Sequence, residues 1–264
     1  LGEMISALYS KGVYVPDGFA TSASAFNTFL ENNNLHLKIQ HALDNLDIND
    51  INALTMTGKM IRQWIIEAPF SERFILEIED AYRQLQAGNK ELSVAVRSSA
   101  TAEDLPEASF AGQQETFLNI KGLDNVFIAI KEVFASLFND RAISYRVHQG
   151  FNHQDIAISA GIQRMVRSET ACSGVMFTLD TESGFDGVVF ITGAYGLGET
   201  VVQGAVNPDE FYVYKEALKN KKYPILRKTL GDKATKMILG ESKSLGKTVQ
   251  IIDVPKKESL KFSL

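Results

Sequence analysis

Cysteine is almost missing: Cys172 is the sole thiol in 264 residues. One thiol cannot close an internal disulfide, so no disulfide framework is expected, and a reducing, cytoplasmic compartment is. No apolar run approaches the roughly 18 residues of a membrane span. No secretory leader is expected either, since Leu1 to Leu8 is short, carries Glu3 and has no basic start. There is no excess of positive charge. Lys and Arg number 27 against 32 Asp and Glu, a net charge of −5. That excludes a general binder of nucleic acid or anionic membranes, while local basic pockets remain open. Histidine is scarce, and none of His36, His41, His148 and His153 stands at a metal-ligand spacing from Cys172 or from another histidine. All four read as structural or solvent-facing. Cys172 reads as a packed strand residue. Repeats and low-complexity tracts are absent. Leu1 stands where an initiating Met would, which predicts a trimmed piece of a longer chain.

What is present is enough apolar surface for a large core: 45% of the residues are hydrophobic. The periodicity predicts helices over 1–11, from Thr21 or Ser22 to about Asn32, over 35–46 and 50–67, from Ser71 to Gly88, over 123–138, and from Asn139 to His148. Strands are predicted at Val94–Val96, Thr116–Ile120, Ala157–Val166, Ala171–Leu179, Gly187–Thr192, Glu210–Lys215 and Thr248–Val254. The fold class is therefore mixed α/β (α+β), with a helix-rich first lobe over 1–152 and a β-rich second lobe over 153–264.

The stretch from Ser93 to Ile120, SVAVRSSATAEDLPEASFAGQQETFLNI, carries the strongest chemistry. An apolar strand delivers Arg97, two serines and then a small-residue loop through Gly112. A strand-held guanidinium beside a glycine loop suits a phosphate. A plain surface ion pair is the competing reading of Arg97. The run VVFITGAYGLGE, ending at Glu199, has its glycines in the order G-x-x-G-x-G, which does not fit a dinucleotide fingerprint. Pro208 soon follows and the segment downstream reads as strand, so a glycine loop lining some other nucleotide site suits it better. GESKSLGKT at 240–248 nearly matches a P-loop. Its glycines are one residue too far apart and a strand comes next, so a surface hairpin is expected. The stretch Ala160 to Arg167 reads as an amphipathic strand or as a hinge that could take an adenine.

The strings VAVRSSATAEDLPEASFAGQQETFLNI, FASLFNDRAISYRVHQG, GIQRMVRS, SGVMFTLDTESGF and GLGETVVQGAVNPDEFYV resemble the phosphoenolpyruvate synthases (pyruvate, water dikinases) of the PEP-utilising enzyme family. Pyruvate phosphate dikinase and rifampin phosphotransferase are broader relatives. The resemblance covers essentially the whole chain. It implies an ATP-grasp-like domain holding ATP between two lobes. ATP would phosphorylate a histidine on a separate, mobile domain, leaving AMP and phosphate. That phosphohistidine would then convert pyruvate to phosphoenolpyruvate. By the same resemblance, Arg97 grips the triphosphate, and the loop through Gly112, Gln113 and Thr116 forms a lid. Gln163, Met165 and Val166 contact the adenine, and Glu199 approaches the ribose or phosphates. The family's glycine-rich lysine motif is expected before Leu1. Its acidic Mg²⁺ ligands are expected after Leu264, and its phosphohistidine on a domain outside this chain. The chain then reads as truncated at both ends and inactive alone. The alternatives are a phosphotransferase of the same kind with another acceptor, and a non-catalytic nucleotide-binding module.

Overall fold

The computed structural model describes residues 2–89, 91–101, 104–105, 108–109, 115–240 and 248–264. The chain divides into two compact units, Leu1–Met165 and Val166–Leu264. The break expected at 152/153 thus moves to the Met165–Val166 bond. Strand pairing is the reason: the strand at Ile158–Arg164 is bonded on both sides to strands of the first unit.

The first unit opens with α1 (Gly2–Leu8), whose Met4 and Ile5 stay exposed, and a short strand β1 (Gly18–Ala20). Helices α2 (Ala23–Asn32), α3 (Leu35–Asp44), α4 (Ile51–Glu67) and α5 (Glu72–Gln86) follow. Side-chain caps set three of their starts. Ser22 accepts from the Ala25 amide, Asp50 from those of Asn52 and Ala53, and Ser71 from that of Phe74. Ala87 and Gly88 take left-handed backbone and end α5. Then come β2 (Ser93–Ala100), the two-residue strands β3 (Asp104–Leu105) and β4 (Ala108–Ser109), β5 (Thr116–Lys121), α6 (Leu123–Ser136), α7 (Asp140–His148) and β6 (Ile158–Arg164).

Four of these strands form an antiparallel sheet in the order β1-β6-β2-β5. Helix α6 packs against β2, β5 and β6. Val126, Ile130, Val133 and Phe134 on α6 are fully buried, as are Val94, Val96, Ile158, Ala160 and Ile162 on the sheet. Each large side chain so buried is worth about 1.5–3 kcal/mol. Behind α6, Phe26 meets Phe134 edge-on at 5.1 Å, and Phe70 stacks on Phe74 at 4.6 Å. Because strand residues alternate, the sheet's other face carries Gly18, Ala20, Arg97, Ser99 and Thr116, all exposed.

Arg146 on α7 is wholly buried. Its Nε donates to His153 Nδ1 at 2.9 Å, and another guanidinium nitrogen donates to the Leu137 carbonyl at 2.6 Å. Burial pushes the His153 pKa down to about 4, with the Arg146 charge adding to the effect. The imidazole is therefore neutral, its Nδ1 accepting and its proton on Nε2. His153 is structural, as the sequence reading has it.

The second unit holds β7 (Cys172–Phe177), β8 (Val188–Tyr195), a one-turn helix α8 (Glu199–Val202), β9 (Asp209–Tyr214), α9 (Lys215–Lys219), β10 (Ile225–Thr229), β11 (Thr235–Leu239), β12 (Val249–Asp253) and α10 (Lys256–Ser259). The strand expected at Glu210–Lys215, downstream of the glycine loop, is β9, and the one-turn α8 lies between them. The antiparallel sheet runs β10-β9-β8-β7, and β11 pairs with β12. On one face Phe177, Phe190, Tyr212 and Arg227 stand in register across all four strands. Neighbouring centroids lie 6.4 and 4.7 Å apart, and the guanidinium carbon sits 4.5 Å from the tyrosine ring. The other face takes the last residues of the chain: Phe262 packs on Phe211 at 5.5 Å, and Leu264 fills the space beside Gly193.

An ion pair between Lys233 and Asp209, both completely buried, ties this unit together. Asp209 also accepts from the Gly231 amide at 2.9 Å, and from the Ser263 amide and hydroxyl at 2.6 and 2.7 Å. Burial alone would push its carboxyl up. Lys233, Ser263 and Gly231 together outweigh that and hold it below its ordinary value.

Two outcomes are expected. Lys233→Met strands the Asp209 carboxylate without its counter-charge and should cost about 3–5 kcal/mol, read as a lower urea midpoint. Unfolded His153 takes up a proton near its ordinary 6.5, whereas the folded residue does so only near 4. Stability should therefore fall as pH drops from about 6.5 to 4. In His153→Gln, whose amide oxygen can still accept from Arg146, that part of the pH dependence should disappear.

Candidate functional site

Arg97 sits in the middle of β2, which continues three residues past it, rather than at the strand's end. It lies opposite Thr116 on β5 and opposite Gly161 on β6. Val94 and Val96 point into the core against α6, which fixes Arg97 on the open face. The guanidinium is exposed and forms no ion pair or side-chain hydrogen bond with any described residue. The competing surface ion-pair reading therefore finds no partner among them. A fixed, unpaired cation over a face of small side chains can take up an anion bidentately.

Thr116 is brought beside Arg97 by register and is exposed. Gly112 and Gln113 lie outside the described residues. Gln163 stands two residues beyond Gly161 on β6, opposite Ala95 and Gly18. Its side-chain amide donates to the Pro16 carbonyl at 3.1 Å, so that nitrogen is already engaged in holding the Pro16–Gly18 segment. Met165 is half-buried, and its amide donates to the Ser93 carbonyl at 2.9 Å, extending the β2–β6 pairing by one bond. Arg97, Thr116, Gln163 and Met165 thus lie along three neighbouring chain segments of the first unit.

The remaining two residues belong to the second unit. Val166 is its first residue and is exposed. Glu199 opens α8, and one of its carboxylate oxygens accepts from the Gln203 side chain at 2.8 Å. The glycine loop before it is shaped by the fold. Gly196 has φ +83°, and a Cβ there would stand 2.4 Å from the Met237 carbonyl oxygen.

Burial raises the pKa of Glu132 on α6, Glu115 adds to it, and Arg62 pulls the other way. Among the described residues, no group of three or more His, Cys, Asp or Glu is placed to hold a metal. No described helix is long and apolar enough to cross a membrane. Two charged features escaped the sequence reading. Asp209 looks like a turn residue after Asn-Pro, and Lys233 looks like a solvated residue after Gly-Asp; nothing in their neighbours signals a buried pair. Glu169, paired with Arg167, keeps its second carboxylate oxygen buried without a partner.

The family described as "Pyruvate phosphate dikinase, AMP/ATP-binding domain" matches residues 1–264. The chain is 64% identical over its full length to phosphoenolpyruvate synthase of Pseudomonas aeruginosa, 61% to that of Neisseria meningitidis and 58% to that of Escherichia coli. It spans about a third of the length of these relatives, 33%, 34% and 33% respectively. With the family match running through every residue, including the β2–β6 face that carries Arg97, the chain belongs to the pyruvate phosphate dikinase AMP/ATP-binding domain family.

Proposed function

We propose that this chain is the ATP-binding part of a phosphoenolpyruvate synthase. ATP would donate a phosphoryl group to a histidine on another domain of the same parent polypeptide. With water consumed, AMP and phosphate leave. The phosphohistidine then passes its phosphoryl group to pyruvate, giving phosphoenolpyruvate. The observation that carries this reading is Arg97: a cation held by a central strand, unpaired among the described residues, in a chain matched end to end by a nucleotide-binding family.

In this reading the two compact units correspond to the lobes of an ATP-grasp domain. Arg97 draws the triphosphate onto the open sheet face, and the Thr116 hydroxyl lies within the same reach. Gly112 and Gln113 belong to a loop that covers the phosphates. Met165 and Val166 offer apolar surface and backbone groups to the adenine, and Glu199 serves the ribose or phosphates. Such a division of labour suits phosphoryl transfer, which depends on positioning and charge neutralisation more than on a protein nucleophile. Mg²⁺ accompanies ATP in this reading, in a cytoplasmic enzyme serving gluconeogenesis. The described residues around Arg97 do not assemble a carboxylate set for the metal, and no step is assigned to it.

Arg97→Ala in the complete parent protein should weaken ATP binding by about 2–4 kcal/mol, roughly 30- to 700-fold in Kd. Isothermal calorimetry with ATP and Mg²⁺ reads this directly, and an unchanged affinity would remove Arg97 from the site. The isolated chain should form no phosphoenolpyruvate from ATP and pyruvate in a coupled assay. Steady turnover by the pure chain would contradict the assignment of the acceptor chemistry to other domains.

A further inference from the structure

Four glycines lie within described strands, and at three of them an added Cβ would run into the protein itself. A Cβ on Gly18 would stand 2.5 Å from the Ile162 carbonyl oxygen. On Gly174 it would stand 1.8 Å from that of Thr192, and on Gly193 it would meet the Leu264 side chain at 2.8 Å. Gly161 differs. Its backbone is not left-handed, and among the described residues the sole atom within 4 Å of its Cβ position is the Arg97 carbonyl oxygen, at 3.7 Å. That is an ordinary contact. Neither backbone conformation nor crowding calls for glycine here.

The position is a poor one for glycine on stability grounds. Strand β6 is paired on both sides, to β1 and β2, and a glycine in a strand interior loses entropy and packs nothing. Alternation fixes where the missing side chain would have pointed. Ala160 and Ile162, on either side, are fully buried on the α6 face. Gly161 therefore faces the opposite way, with its register partners Arg97 and Ala20. Among the described residues, the space at this position is open and lies immediately beside the strand position that carries a guanidinium without a partner.

We infer that Gly161 is a specificity-determining residue of the nucleotide site, kept without a side chain so that the polyphosphate of the bound nucleotide can lie against the sheet beside Arg97. The inference rests on the reading that Arg97 grips the nucleotide. Its chemistry is consistent: a polyphosphate needs close approach to backbone next to a fixed cation, and glycine alone allows that approach. The adenine would lie further along, toward Met165, four residues or roughly 13 Å away on extended chain. Gly161 thus discriminates by the number of phosphates the nucleoside carries.

The test compares Gly161→Ala, Gly161→Val and Arg97→Ala in the complete parent protein, by thermal unfolding and by calorimetry with ATP and with AMP. The two Gly161 variants should melt at or above the parent temperature, since a side chain there relieves a strand glycine. Their ATP affinity should fall in step with size, about tenfold for alanine and a hundredfold for valine, with a smaller loss for AMP. Parent-like ATP affinity in Gly161→Val, alongside weakened binding in Arg97→Ala, would overturn the role of Gly161 and leave the site intact. Lower melting temperatures in both Gly161 variants would also overturn it, by showing that the fold needs the glycine. Unchanged ATP affinity in Arg97→Ala would instead bring down the underlying reading of the site.

Discussion

The packing of α6 against one side of the β1-β6-β2-β5 sheet is the constraint on which the candidate site depends. A strand has only two faces. Once Val94 and Val96 on β2, and Ile158, Ala160 and Ile162 on β6, are committed to the helix, every intervening residue is sent to the other side. Arg97 is exposed and Gly161 lies opposite it for that reason alone. A slip of one residue in β2 would bury the guanidinium without a counter-charge, at a cost far above that of any single surface contact. The hydrophobic contacts of α6 thus aim a charged side chain they never touch.

The second unit solves a different problem with similar economy. Its sheet is small, and one side is crossed by a ladder of rings that ends on Arg227. The other side is closed by the segment ending at Leu264, held by Asp209 through Ser263 and by stacking on Phe211. Asp209 is central because one carboxylate satisfies four donors from two chain segments, the Gly231–Lys233 turn and Ser263. Its burial is tolerable only because Lys233 is buried with it.

Much of this was legible in the residues, and the remainder was hidden for physical reasons. The caps Ser22, Ser71 and Asn139 marked helix starts because a short polar side chain before an apolar stripe has a specific job there. The placement of Arg97 on a strand was legible from the apolar residues before it. Its freedom from described partners was not, since an ion pair is a tertiary fact. The boundary was misplaced because alternation identifies β6 as a strand without saying which strands flank it. Strands β10 and β11 were missed because Ile225–Thr229 and Thr235–Leu239 are interleaved with lysine and arginine and read as loop. On α4, Leu54, Gly58, Ile61 and Ile65 are buried, whereas Met60 is exposed and Trp64 lies under the Lys38 ammonium, 3.8 Å from its ring. The Lys233–Asp209 pair left no trace in the sequence, because buried and solvated charges are spelled alike.

The position of β6 between β1 and β2 has a bearing on how the chain is born. Thr21, just past β1, waits for Ser159 and Ala160, 138 and 139 residues later, before its hydroxyl and carbonyl find their partners. On the ribosome, every helix of the first unit is made before the strand that completes its sheet. Until β6 emerges, β1 and one edge of β2 remain unsatisfied backbone. Closure of this sheet is therefore a late, all-at-once event in synthesis, and the face that carries Arg97 comes into being at the moment the last of its strands leaves the tunnel.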